Sequence, residues 1–423
     1  MDSSALPNSN QKNSNKLHQV DKIWTKQAKD RALLLQKHLI EWFDNEQSGM
    51  RAAIKQSILG TDFTSEDIDF QLSSIKSRLE AGDLVHWVEQ YYGEKDQQEL
   101  NKKRVDVQDD IDSQLFEQAH VLCIHAGNLP LVGLQDAIAV LLSGHNYTGK
   151  ISRKDPYLLV SILKWLVHRG WEAQIQHWTI ETKDIPAKDF KKVLFAGSES
   201  SLESLKAILI KAQILDKRTN WLNRTASFSI AYCPNKELAI KHSNQLIEAM
   251  LRHDGKGCRS VGMIVSPVGL NELQKPLENA LKTAFYKTEI AGISDSKVQT
   301  QGFNRNRLTS VAYKQAYNLA IDRAFICVGD WFIEEHSLEY VSEPKSNRVV
   351  YWVKADKDAL GSLVERFGFT LQSIYYLGAD IPAFKGFFND TINVESIDYA
   401  QCPPLYWKPD GVDILRYLCP FII

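Results

Sequence analysis

Cys258 stands in His253-Asp254-Gly255-Lys256-Gly257-Cys258-Arg259-Ser260, and a cysteine thiolate attacks acyl carbons. A fixed amide can donate to the oxyanion such an attack creates. Asn128, in Ala126-Gly127-Asn128-Leu129-Pro130 at the end of an apolar, strand-like run, supplies that amide. Thiol and amide together point to acyl transfer through a covalent thioester; neither alone would. Gly255 and Gly257 allow close backbone approach, and the charges of Lys256 and Arg259 are expected to lower the thiol pKa. Such neighbours are poor surroundings for a core thiol. The other cysteines, Cys123, Cys233, Cys327, Cys402 and Cys419, lie mostly in apolar runs and suit structural roles.

Two further clusters have the chemistry of a nucleotide site. Lys150, Ser152, Arg153 and Lys154 gather basic and hydroxyl groups at the end of a predicted strand, suited to a ribose carrying a 2′-phosphate. A solvated surface loop accounts for the same residues. Gly197 and Ser198 fall between a strand and a helix, where free backbone N–H groups can meet a phosphate. An ordinary helix cap at Ser198 explains them equally.

Other motifs are excluded. Gly144-His145-Asn146-Tyr147-Thr148-Gly149-Lys150 has P-loop spacing, but Ile151 replaces the magnesium-holding Ser or Thr, an apolar helix precedes the motif, and Pro156 interrupts the helix that should follow. There is no G-x-G-x-x-G. No C-x-x-C pair occurs, so neither a metal site nor a disulfide framework is expected. His125 and His145 lie near the same strand ends and receive no role.

The elements that must position these groups are legible from periodicity. Helical spacing runs from Val20 to about Asn101, after a Ser/Asn/Gln-rich tip at 1–16 expected to be disordered. A charged connector at 94–104 follows. From about residue 118, apolar runs alternate with amphipathic helices: strands are predicted at 120–124, 147–151, 173–178, 193–195, 226–232, 262–265 and 349–353. That alternation predicts an α/β fold of two open, mostly parallel sheets with a helical N-terminal region. The expected units are the helical region at 17–115, a nucleotide-binding domain at 116–254, a catalytic domain at 255–370, and a C-terminal segment at 371–423 packing back on the body. Ligands in such sheets bind beyond the carboxyl ends of the strands, where Asn128, Lys150 and Ser198 are placed.

The 423 residues are too many for one core, and a formal charge of −2 argues against a polyanion-binding surface, so no nucleic-acid partner is expected. No apolar run reaches membrane-spanning length, no signal peptide is read at the N-terminus, and the cysteine usage fits a cytoplasmic protein.

The segments Ala126–Gly133, Ser143-Gly144-His145 and Gly149–Asp155 resemble the LuxC-type acyl-CoA reductases. These are long-chain fatty acyl reductases of the aldehyde dehydrogenase superfamily, best known from bacterial bioluminescence. The resemblance covers roughly residues 118–270, and Gln401–Pro404 with Asp410-Gly411 more loosely. It implies an aldehyde-dehydrogenase-like fold in which Cys258 accepts the acyl group and Asn128 donates to the oxyanion. It also implies that Lys150 and Ser152 touch the adenosine ribose or its phosphate, with Gly197 and Ser198 beside the pyrophosphate. Arg153 with Lys154 favours NADPH over NADH. Where hydrolytic aldehyde dehydrogenases carry Glu-Leu-Gly-Gly, this chain has Asn223-Arg224-Thr225-Ala226-Ser227-Phe228, so the water-activating base is expected to be missing. The expected activity is NADPH-dependent reduction of a fatty acyl-CoA or acyl-carrier thioester to the aldehyde. An acyl phosphate reductase and a non-reducing acyl-transfer or scaffold subunit are the alternatives. A homo-oligomer and an acyl-transferring partner protein both remain open.

Overall fold

The computed structural model describes residues 9–91, 118–293, 305–344, 348–388 and 392–419. The connector expected at 94–104 lies outside the described residues, as do residues 1–8 and 420–423. Residues 9–16, expected to be disordered, begin a helix that runs Ser9–Asp44, for no glycine or proline interrupts the chain between Pro7 and Gly49.

Five parallel strands form the first sheet: β1 (His120–Ile124), β2 (Asn146–Lys150), β3 (Ile175–Thr179), β4 (Phe190–Ala196) and β5 (Asn220–Arg224). Their spatial order is β3-β2-β1-β4-β5. The order reverses between β1 and β4, and the carboxyl ends at such a reversal form a natural ligand crevice. Val121–Ile124 are all buried, as a strand covered on both faces requires. Ile124 lies opposite Lys150 on one side and Phe195 on the other, and Ala196 lies opposite Arg224. The loops carrying Asn128, Lys150 and Ser198 therefore leave the sheet along one edge.

The second sheet comprises β6 (Phe228–Tyr232), β7 (Val261–Ser266), β8 (Phe325–Val328), β9 (Trp331–His336), β10 (Val349–Lys354), β11 (Leu371–Tyr376) and β12 (Asn393–Ser396). They lie in the order β12-β11-β6-β7-β10-β9-β8, with β8 antiparallel to β9 and every other pairing parallel.

Two expected boundaries move. The first sheet closes at Arg224, so 226–254 belongs with the second sheet, not with the nucleotide-binding unit: β6 pairs with β7 and β11, and its buried residues complete that core. Likewise β11 and β12 make residues 371–396 part of the second sheet, and only the chain beyond Ser396 packs back.

The helical N-terminal region is not a separate body. Helices Ser9–Asp44, Met50–Gly60, Ser65–Glu80 and Asp83–Tyr91 place Leu35, Leu39, Trp42, Leu79 and Trp87 in one core with Tyr147, Leu158 and Ile162 of the first sheet's layer and Ile414 and Leu418 of the returning segment. That segment crosses the molecule as a strap. Arg78 donates to Cys402 O, Asp83 accepts from Leu405 N (2.7 Å), Gln135 donates to Leu405 O and Trp407 O (2.9 and 2.6 Å), and Lys192 donates to Tyr417 O and Leu418 O.

Candidate active site

Thr225-Ala226-Ser227 carries the chain from the carboxyl end of β5 directly to the amino end of β6, so the crevice edge of the first sheet faces the amino edge of the second. Asn128 lies beyond β1 on one side of this junction, and Cys258 lies before β7 on the other.

The two turns touch. Asn128 Nδ2 donates to Lys256 O at 2.7 Å, and a Cβ at Gly257 would sit 3.4 Å from a Leu129 methyl. Behind the Asn128 turn, a Cβ at Gly127 would lie 2.2 Å from Ser152 Oγ, so only glycine lets the loops after β1 and β2 come this close. The turn ends at Leu131, whose φ of 58° is unfavourable for a branched residue. Asp155 secures it, its Oδ2 accepting Leu131 N at 2.7 Å. Burial pushes the Asp155 carboxyl up to about 6, against the opposing N–H bonds of Leu131 and Leu158.

The turn before Cys258 is more strained. His253, Asp254 and Gly255 all take left-handed backbone, with φ of 55°, 58° and 65°. Such backbone costs a non-glycine residue about 1–2 kcal/mol, so surrounding contacts must hold it. Beyond it, Ser260 N donates to Gly257 O (2.9 Å) and Ser229 Oγ donates to Cys258 O (3.0 Å), tying the cysteine to the start of β6.

The charge expected to activate the thiol is directed elsewhere. The Arg259 guanidinium is buried, donates to Ala400 O, Tyr399 O and Glu395 Oε2, and lies 4.0 Å over the Trp407 ring. Lys256 Nζ pairs with Asp254 (3.3 Å). Desolvation, and then the Asp410 carboxylate, push the Cys258 thiol up to about 11, overcoming the smaller opposing pull of Arg259 and Arg224. The expectation of a lowered thiol pKa is therefore reversed, because burial outweighs cations that have other partners.

Asp410, on the returning strap, has left-handed backbone (φ 52°) and is followed by Gly411 (φ 74°). Its Oδ2 accepts from Thr225 N and Ala226 N at 2.9 and 3.2 Å, and its Oδ1 accepts from the Gln372 amide at 2.8 Å. Both carboxylate oxygens are thus engaged. Arg224, where a water-activating acid was expected to be missing, turns inward and clamps Asp136 with two bonds of 2.7 and 2.6 Å. Burial alone would raise the Asp136 carboxyl, but Arg224 and the nearby His125 ring hold it at about 2. His125 continues this buried network to Tyr147 Oη at 2.8 Å, and His145 is held by Ala119 N and Leu418 O, so both histidines are structural here.

On the crevice edge, Lys150 is half-buried and its ammonium makes no hydrogen bond or close ion pair among the described residues; burial, then Arg153, lower its pKa. Ser152 Oγ accepts Lys154 N (3.2 Å). Exposed Arg153 forms a two-bond pair with Glu181, which follows β3 (3.2 and 2.5 Å). Gly197 N donates to Arg224 O, and Ser198 Oγ caps helix Glu199–Lys211 by accepting Ser201 N (3.3 Å).

No family model matches the sequence, and neither does any curated protein. Solved structures do match in shape. Aldehyde dehydrogenase 21 of Physcomitrella patens superposes with a TM-score of 0.58 at 11% identity, covering 93% of this chain and 84% of that one. Betaine aldehyde dehydrogenase of Staphylococcus aureus, solved with NAD+, gives 0.54 at 13% identity over 88% and 75%. Glyceraldehyde-3-phosphate dehydrogenase GapN of Methanocaldococcus jannaschii, solved with NADP, gives 0.54 at 11% identity over 88% and 84%. The chain has the aldehyde dehydrogenase fold.

Within that fold, the structure brings Asn128 against the Cys258 turn and sets Lys150, Ser152, Arg153, Gly197 and Ser198 along the neighbouring edge. Residues that the sequence did not single out support these turns and this edge: Asp155, the Arg224–Asp136 pair, Glu181, and Asp410 with Gln372. Asp155 and Asp410 were visible only as parts of motifs, while the direction of Arg224 left no local signal.

Proposed function

We propose that this chain reduces a fatty acyl thioester to the aldehyde with NADPH, through an acyl group held on Cys258. The observation that carries this reading is the contact of the Asn128 amide with Lys256 O, which sets an amide donor beside the thiol turn. Cys258 Sγ attacks the acyl carbon, the second amide hydrogen of Asn128 and the Cys258 N–H donate to the developing oxyanion, and the donor thiol departs. Asp410 supports reduction over hydrolysis, since its carboxylate is already committed to Thr225 N, Ala226 N and the Gln372 amide rather than to positioning a water.

The crevice edge fits a dinucleotide: Lys150 offers a partly desolvated ammonium with no close partner among the described residues, and helix Glu199–Lys211 presents its N-terminal N–H groups beside Gly197 and Ser198. Bound there, the nicotinamide would supply the hydride. Arg153 would take a 2′-phosphate on leaving Glu181, which favours NADPH; Arg153→Ala should lower kcat/KM for NADPH about tenfold and spare NADH. Equal losses with both cofactors would remove Arg153 from cofactor choice.

The decisive experiment is intact-mass spectrometry after incubation with a long-chain acyl-CoA, then NADPH. An adduct absent from Cys258→Ala and discharged as aldehyde supports the reductase. A persistent adduct would mark an acyl-transfer subunit. No adduct from acyl-CoA but turnover of an acyl phosphate would shift the donor class.

A further inference from the structure

The left-handed turn before Cys258 is gripped from the N-terminal region. Asp67, on helix Ser65–Glu80, directs Oδ1 at the turn: it accepts His253 N at 3.2 Å, lies 3.4 Å from His253 Nδ1 and 3.6 Å from Arg252. Its neighbour Glu66 pairs with the same guanidinium at 3.1 Å. One turn further along that helix, Phe70 lies 4.3 Å beneath Arg252 and meets the His253 ring edge-on. Glu248 holds Arg252 from its own helix, with Oε1 2.6 Å from Nε.

Asp67 is itself fixed before it reaches the turn. Thr64 caps the helix by accepting Asp67 N (3.1 Å) and donates its hydroxyl to Asp67 Oδ2 (2.9 Å), which leaves Oδ1 aimed at His253. His253 is buried, with neither ring nitrogen hydrogen-bonded, so its backbone N–H is the turn's polar attachment to this helix.

We infer that Asp67 is a positioning residue for the nucleophile: the N-terminal helix holds the His253–Gly255 turn in its left-handed form and so fixes where Cys258 meets the acyl carbon. This rests on the reading of Cys258 as acyl acceptor. A strained backbone persists only where surroundings over-determine it, and here one carboxylate contacts the turn's backbone, ring and adjoining guanidinium at once.

Asp67→Glu separates this role from simple helix capping. Glutamate keeps the negative charge in the first helical turn, where it is favourable, so the helix and the fold are retained, but the added methylene displaces the acceptor from His253 N. The expected result is a kcat lowered about 10- to 100-fold with KM for NADPH unchanged, as for a misplacement near 1 Å. Iodoacetamide should meanwhile alkylate Cys258 about fivefold faster, because a loosened turn admits water and raises the thiolate fraction. Isosteric Asp67→Asn, which keeps an acceptor in place, should restore both values. Wild-type alkylation in Asp67→Glu overturns the inference, as does faster alkylation with undiminished kcat. Should the wild-type chain reduce no acyl donor, the proposed function fails, yet the alkylation rates still decide whether Asp67 holds the turn.

Discussion

Cys258 is half-buried, and desolvation holds its thiol in the neutral form. Its alkylation should therefore climb about tenfold per pH unit from 7 to beyond 9, since the thiolate fraction keeps growing until about pH 11. Asp410→Asn removes the carboxylate charge that raises the thiol while keeping an acceptor for Thr225 N, so it should speed alkylation at every pH in this range. A plateau below pH 8, or an unchanged rate in the variant, would contradict this electrostatic account. Sequence shows that Lys256 and Arg259 flank the thiol but not where their charges go. Arg259 reaches Ala400 and Glu395, and no local pattern reveals that direction. The Asn128 turn was readable because Gly-Asn-Leu-Pro ends an apolar run abruptly, and its contact with Lys256 is a matter of tertiary packing.

The turns between elements carry the next layer. Asp155 holds Leu131 N and so fixes the end of the Asn128 turn. At pH 4, Asp155→Ala should destabilise the protein by about 1–3 kcal/mol by orphaning that N–H, whereas Asp155→Asn should there be nearly neutral. Because the folded Asp155 carboxyl is raised to about 6 from 3.8, its stabilising contribution is complete below pH 4 and is lost as pH rises through 6. Urea midpoints measured at pH 4, 5 and 7 should show Asp155→Asn gaining on the wild type as pH rises; parallel curves would refute the assignment. Among the elements, β1, β7 and β10 were legible because apolar residues dominate them, while β2, which reads Asn-Tyr-Thr-Gly-Lys, was placed by its position between two apolar helices. β11 and β5 were not: Gln372 and Ser373 are buried polar residues within β11, the former paired with Asp410, and β5 reads Asn-Trp-Leu-Asn-Arg. Polar strands of this kind are set by partners distant in sequence, which periodicity does not register.

At the scale of the molecule, the N-terminal helices, the first sheet and the strap share one core, so they should unfold together. Gln135→Leu removes the amide that binds Leu405 O and Trp407 O; it should cost about 1–3 kcal/mol and shift a single transition seen alike by tryptophan fluorescence and circular dichroism. Two separated transitions would show that the helices are an independent unit. The α/β class and the two-sheet plan were readable from alternating runs. The strap was not, because its bonds span hundreds of residues. Arg78 meets its acceptor 324 positions later, and Asp83 meets Leu405 322 positions later. On the ribosome, the earliest helices therefore emerge long before the strand of chain that will cover them. They must wait, with apolar faces open, while more than 320 further residues are made. Transiently open apolar surface of this kind is what chaperones cover during synthesis, and the helices' share of the core is completed only once the strap has emerged.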